Sequence, residues 1–137
     1  MITVLIADDH SFVRRSLHDL LDATDDITVV AECSDGSEVL AAAQAARPDV
    51  VLMDLVMPRR TGLQAAQDLR DAGVPSRVLM LTGSLSASAV REARALGAAG
   101  FLLKGDNPEH LAQQVRDVAR GGSAWAGPEA AGLLDDR

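Results

Sequence analysis

The sequence predicts an α/β fold: an open, doubly wound parallel sheet of five strands sandwiched between five helices. Three observations carry this. Apolar runs of strand length alternate five times with segments of helical period over residues 1–121. The first run, Ile2 to Ala7, is apolar almost throughout, as in strands covered on both faces. Single polar residues then end these runs on the carboxyl side, where α/β sheets place their chemistry.

The elements follow in order. After the first strand, Phe12, Val13, Ser16, Leu17, Leu20 and Leu21 recur at helical spacing and predict an amphipathic helix. Ile27 to Cys33 reads as the second strand, and Val39, Leu40 and Ala43 mark a short helix before Pro48. Val50 to Met53 is a third, buried strand that runs into Asp54. Leu63, Ala66 and Leu69 define a third helix, stopped near Gly73 and Pro75. Arg77 to Leu81 is the fourth strand. Ala89, Val90, Ala93 and Leu96 form the fourth helix, closed by Gly97. Phe101 to Leu103 is the fifth strand. Asn107-Pro108 is a good start for the last helix, which carries Leu111, Val115, Val118 and Ala119 and ends at Gly121-Gly122. Residues 122–137, small and polar apart from Trp125, Leu133 and Leu134, read as a linker or tail.

Composition narrows the function classes. The chain has 137 residues, 47% hydrophobic and 24% charged, which suits one globular domain with a real core. A net charge of −7 argues against unaided binding to nucleic acid, which relies on a basic patch. The single cysteine, Cys33, excludes an internal disulfide and reads as an inert buried thiol. The opening MITVLIADDH is too soon interrupted by acid to be a signal peptide or a spanning helix. A soluble, cytoplasmic domain is the expectation.

The chemistry gathers at the strand ends. Asp8 and Asp9 follow the first strand, Asp54 the third, Thr82 the fourth and Lys104 the fifth. Taken singly, Thr82 reads as a turn hydroxyl and Lys104 as a surface lysine. Taken together, three carboxylates, a hydroxyl and an ammonium converge on one edge of the sheet. Crowded carboxylates raise one another's pKa unless a cation neutralises them, and oxygen-only ligands suit Mg²⁺. With the ion beside Asp54, Lys104 and Thr82 can hold the oxygens of an incoming phosphoryl group while Asp54 acts as nucleophile. His10, His18 and His110 lack metal-ligand spacing and read as surface residues, and Arg14 and Arg15 as a solvated helix face.

With these residues in place, residues 1 to about 121 resemble the receiver domains of two-component response regulators. The matching motifs are the acidic pair Asp8-Asp9, Asp54 within MDLVMP followed by Met57, Pro58 and Gly62, then Thr82, and Lys104 within GFLLK. The resemblance implies the strand order 2-1-3-4-5, with Mg²⁺ held by Asp8, Asp9, Asp54 and the backbone carbonyl of Val56. It also implies phosphorylation of Asp54 by a sensor histidine kinase. Thr82 and Phe101 then become the switch pair, and the surface they control becomes a partner contact or a homodimer face. ADDHSFVRRSL, GAAGFLLK and GGSAWAGPEAAGLL resemble the NarL-type branch, whose receivers precede a LuxR-type helix-turn-helix. DNA contact would then belong to a C-terminal domain missing from this chain. Three features depart from the family pattern: Arg59 and Arg60 after Asp54, Ser84 to Ser88 at the start of the fourth helix, and Gly83 after Thr82. The arginines are placed either to compete with Mg²⁺ for the carboxylates or to attract an anionic phosphodonor.

Alternatives are a stand-alone receiver acting by protein contact, a Mg²⁺-dependent phosphohydrolase with an aspartyl-phosphate, and a nucleotide- or flavin-binding protein. A haloacid-dehalogenase-type phosphohydrolase places its nucleophile in a DxD after the first strand, a spacing that Asp8-Asp9-His10 lacks. No glycine-rich phosphate loop follows that strand, which weighs against a nucleotide site.

Overall fold

The computed structural model describes residues 1–83, 86–104 and 109–125. The proposed Asn107-Pro108 helix start, Ser84 and the tail from residue 126 lie outside the described residues. In chain order the elements are β1 (Ile2–Ala7), α1 (Ser11–Asp22), β2 (Ile27–Cys33), α2 (Val39–Ala46), β3 (Val50–Asp54), α3 (Gly62–Asp71), β4 (Arg77–Thr82), α4 (Ala87–Ala95), β5 (Gly100–Leu103), α5 (Glu109–Ala119) and β6 (Ala124–Trp125). One 3₁₀ turn, Gly36–Glu38, precedes α2.

All strand pairs are parallel, in the order β2-β1-β3-β4-β5-β6. The sheet therefore has six strands where five were expected. Ala124 and Trp125 pair with Gly100 and Phe101, and the Ala124 N–H donates to the Ala99 carbonyl at 3.0 Å. A two-residue strand among Gly, Ser and Ala carries no apolar run, so backbone pairing and not pattern reveals it. The close approach requires a glycine opposite, since a Cβ on Gly100 would stand 2.0 Å from the Ala124 carbonyl oxygen.

Alternation along the buried strands divides the core in two. Leu5, Val51, Met53, Met80 and Phe101 face α2, α3 and α4 through Val39, Ala43, Ala65, Leu69 and Val90. Val4, Ile6, Val50, Leu52, Leu79, Leu81 and Leu102 face α1 and α5 through Leu21, Leu111, Val115 and Val118. Burial on both sides explains the continuous apolar runs. Phe12 departs from its expected role: it is 80% exposed, and the inner stripe of α1 runs through Leu17, Leu20 and Leu21. Cys33 is buried as expected, and burial pushes its thiol up to about 11.

The chain crosses from β1 to β2 on one side and returns to β3 on the other, so strand order reverses between β1 and β3. A crevice at the carboxyl ends of these two strands is the expected ligand position. The start of α3 is packed against that edge. Thr61 caps the helix reciprocally with Gln64, at 3.1 and 2.9 Å, and a Cβ on Gly62 would lie 2.1 Å from the Asp54 carbonyl oxygen. Gly62→Ala must push β3 and α3 apart. We expect it to lower stability by roughly 1–3 kcal/mol in urea unfolding, and an unchanged midpoint would show that the packing there is loose.

Candidate functional site

Asp8 sits one residue past β1, Asp54 and Thr82 end β3 and β4, and Lys104 follows β5. The structure brings them together as the sequence predicts. Asp8, Asp54 and Thr82 are buried, and the Lys104 ammonium reaches Asp8 Oδ2 at 2.9 Å and Asp54 Oδ2 at 3.2 Å. The strand ends are tied by backbone bonds: Asp8 N–H donates to the Cys33 carbonyl at 2.9 Å, and Lys104 N–H to the Thr82 carbonyl at 2.6 Å. The second bond ties the end of β4 to the residue that follows β5.

The electrostatics follow from burial. Loss of hydration pushes the Asp54 carboxyl up, the Asp8 charge adds to this, and Lys104 offsets only part. The same burial pulls the Lys104 ammonium down, but its two carboxylates outweigh it and the net direction is up. Lys104 is therefore held charged between its partners.

The Asp8 carboxylate is not fully satisfied by the protein. Asp8 Oδ2 is buried and receives no hydrogen bond of normal geometry, only the Lys104 charge. Ligand atoms of Asp8, Asp9, His10 and Asp54 lie within 4.8 Å of one another. Three carboxylates facing one ammonium leave an excess of negative charge, and the oxygen-rich donor set fits a small, hard divalent cation. His10 is exposed, as read from the sequence, and stands beside the acidic pair, with Nδ1 3.3 Å from Asp8 Oδ1 and 3.1 Å from Asp9 Oδ1.

Arginine positions also differ from expectation. Arg14 is half-buried and not simply solvated: Nη1 donates to the Asp8 carbonyl at 2.7 Å, while Nε stands 3.3 Å from Glu32 Oε1. It thus pins the backbone that carries the acidic pair. Arg59 and Arg60 both pair elsewhere, Arg59 with Asp35 and Arg60 with Asp68 through bonds of 2.7 and 2.8 Å. Phe101 is fully buried and lies in register with Met80 on one side and Trp125 on the other. Val56 is 70% exposed, on the loop just after Asp54.

Residues 4–116 match the response regulator receiver domain model. The chain belongs to the response regulator receiver family. It is 37% identical over 134 residues to the DNA-binding transcriptional activator DevR/DosR of Mycobacterium tuberculosis, covering 98% of this chain and 62% of that protein. To the nitrate/nitrite response regulator protein NarL of Escherichia coli K12 it is 35% identical over 119 residues, 87% of this chain and 55% of that one. The chain thus spans about six-tenths of the length of these curated relatives. The receiver domain of NarL from Mycobacterium tuberculosis superimposes with a TM-score of 0.84 at 35% identity, covering 88% of this chain and 97% of that one. A LuxR-family response regulator from Aurantimonas gives a TM-score of 0.89 at 28% identity, over 98% and 95% of the two chains. The receiver is of the NarL type, and its relatives regulate transcription.

A raised Asp54 pKa has a stability consequence. The unfolded chain gives up this proton near the ordinary value of 3.8, before the folded chain does, so ionisation above that pH works against the fold. Asp54→Asn removes the cost. We expect the metal-free variant to be more stable than the wild type at pH 7 by on the order of 1 kcal/mol. The difference should shrink below pH 3.8, where the carboxyl is protonated in both states, and thermal melts across pH check it. A variant less stable at pH 7 would mean that Lys104 compensates Asp54 fully.

Proposed function

We propose that the chain is the phosphoacceptor part of a cytoplasmic two-component transcriptional regulator, taking a phosphoryl group onto Asp54 from a sensor histidine kinase. The observation that carries this is the buried Asp54 carboxylate at the switch point of the sheet, 3.2 Å from the Lys104 ammonium and beside Asp8. In our reading Asp8, Asp9, Asp54 and the Val56 carbonyl hold Mg²⁺, which supplies positive charge to the phosphoryl oxygens when bound. Asp54 presents a carboxylate oxygen in line with the donor. The bond from phosphorus to the donor nitrogen breaks as the bond to Asp54 forms, and the imidazole leaves with the electron pair. Lys104, already poised between Asp8 and Asp54, turns to a phosphoryl oxygen. The chain accepts one phosphoryl group and returns it slowly to water, which is regulation and not turnover.

Thr82 is the strand-end hydroxyl that answers the new charge, about −1.5 to −2 at neutral pH. Phe101, two residues before Leu103 opposite Thr82, fills the space behind it. Phe101 is already fully buried, so the switch works by packing along β4 and β5 and not by release of a tyrosine hydroxyl. Residues 1–121 form the receiver, and residues 122–137 lead toward a helix-turn-helix domain. DNA binding or pairing with a second copy would read out the switch. No helix among the described residues is long and apolar enough to cross a membrane.

Intact-mass analysis after incubation with Mg²⁺ and acetyl phosphate tests the assignment. One phosphoryl group should be gained by the wild type and none by Asp54→Asn; labelling of that variant would move the acceptor elsewhere.

A further inference from the structure

Four polar side chains are buried among the described residues. Asp8, Asp54 and Thr82 belong to the strand-end site; the fourth, Asp35, has no part in the chemistry proposed above. It lies two residues past β2 and is 3% exposed. Its Oδ1 accepts the Ser37 N–H at 2.8 Å, capping the 3₁₀ turn, and its Oδ2 accepts from Arg59 Nη1. The Ser37 amide and then Arg59 hold this carboxyl below its ordinary value against the opposing effect of burial, so the pair stays ionic.

Arg59 is five residues beyond Asp54 and has φ of 63°, a left-handed conformation that an arginine keeps only where its surroundings hold it there. The next residue along the acidic side, Gly36, brings the two loops into backbone contact: a Cβ there would stand 1.9 Å from the Arg60 carbonyl oxygen. Arg60 is in turn held by both oxygens of Asp68 on α3, and the Gly62 N–H closes the loop onto the Leu55 carbonyl at 2.8 Å. The segment left between Asp54 and these clamps is Leu55 to Pro58, which includes Val56. The end of β2 also carries the carbonyl that holds the Asp8 amide. One corner of the sheet therefore steadies both sides of the acidic site.

We propose that Asp35 and Arg59 are positioning residues for phosphoryl transfer: their ion pair, seated by the Gly36–Arg60 contact, fixes the loop after β3 and with it the Val56 carbonyl that completes the oxygen set for Mg²⁺. This rests on the receiver function proposed above. Neither residue touches the reacting atoms. Removing the pair weakens ion binding and leaves the chemistry of Asp54 intact once the ion is saturating. The arginine after MP is then neither a competitor for the carboxylates nor a lure for the donor, but a latch.

The test uses the full 137-residue chain and its Arg59→Ala, Arg59→Lys and Asp35→Asn variants, each checked for a cooperative thermal melt. Mg²⁺ alone is titrated by calorimetry, and acetyl-phosphate labelling of Asp54 is followed against Mg²⁺ concentration. We expect Arg59→Ala and Asp35→Asn to raise the Mg²⁺ midpoint roughly tenfold, as loss of a group that orients a metal ligand does. Labelling rates at saturating Mg²⁺ should stay within about twofold of wild type, and Arg59→Lys, which keeps the charge, should recover most of the affinity. Arg59→Ala trims an exposed side chain, so it decides the matter if Asp35→Asn does not fold. Unchanged Mg²⁺ midpoints in a folded Arg59→Ala overturn the latch while leaving the receiver function standing. A wild-type chain that neither binds Mg²⁺ nor labels on Asp54 overturns that function, and the latch with it.

Discussion

Two carboxylates, Asp8 and Asp54, are buried at the reversal point of the sheet with a single ammonium, Lys104, between them. Burying charge is costly unless it is paired, and here the pairing is incomplete by design of the backbone: each partner is the terminal residue of a different strand or follows one directly. The backbone that carries these groups is tied to neighbouring strands, Asp8 N–H to the Cys33 carbonyl and Lys104 N–H to the Thr82 carbonyl. What remains is an unsatisfied preference for positive charge. In the function proposed above, a divalent cation neutralises that excess of negative charge and so lets an anionic phosphoryl group approach Asp54.

The same constraint explains the surroundings. Arg14 holds the Asp8 carbonyl, and Cys33 holds the Asp8 amide, so the acidic pair has a fixed backbone even though Asp9 and His10 reach solvent. Gly62 lets α3 close against the Asp54 carbonyl, where any side chain would force β3 outward. On the far side, Lys104 and Thr82 share a backbone bond, and Phe101 fills the core behind them. Thr82, Lys104 and Phe101 are thus joined along one short stretch of β4 and β5. Trp125 then extends that stretch by one more parallel strand toward the segment that follows α5.

Much of this was legible in the sequence, for a physical reason. Strands covered on both faces must be apolar throughout, so the residue at which apolarity breaks is the one that emerges at the sheet edge; Asp8, Asp54, Thr82 and Lys104 were visible in that way. What escaped detection depends on contacts between segments distant in sequence or on backbone atoms. The ion pair of Arg59 with Asp35 spans 24 positions, and Arg14 bonds to a carbonyl, which leaves no side-chain pattern. Strand β6 is two residues long and is made by hydrogen bonding alone. Phe12 misled because an apolar residue at helical spacing can also stand clear of the core at the first turn of its helix.

On this account the Asp8–Asp54–Lys104 cluster accepts a cation and a phosphoryl group together. Fluorine NMR of the chain with beryllofluoride, a mimic of the aspartyl-phosphate, reads this directly. Bound fluorine resonances should appear only when Mg²⁺ is present and should be absent from Asp54→Asn. Equal binding without Mg²⁺, or in that variant, would contradict the claim.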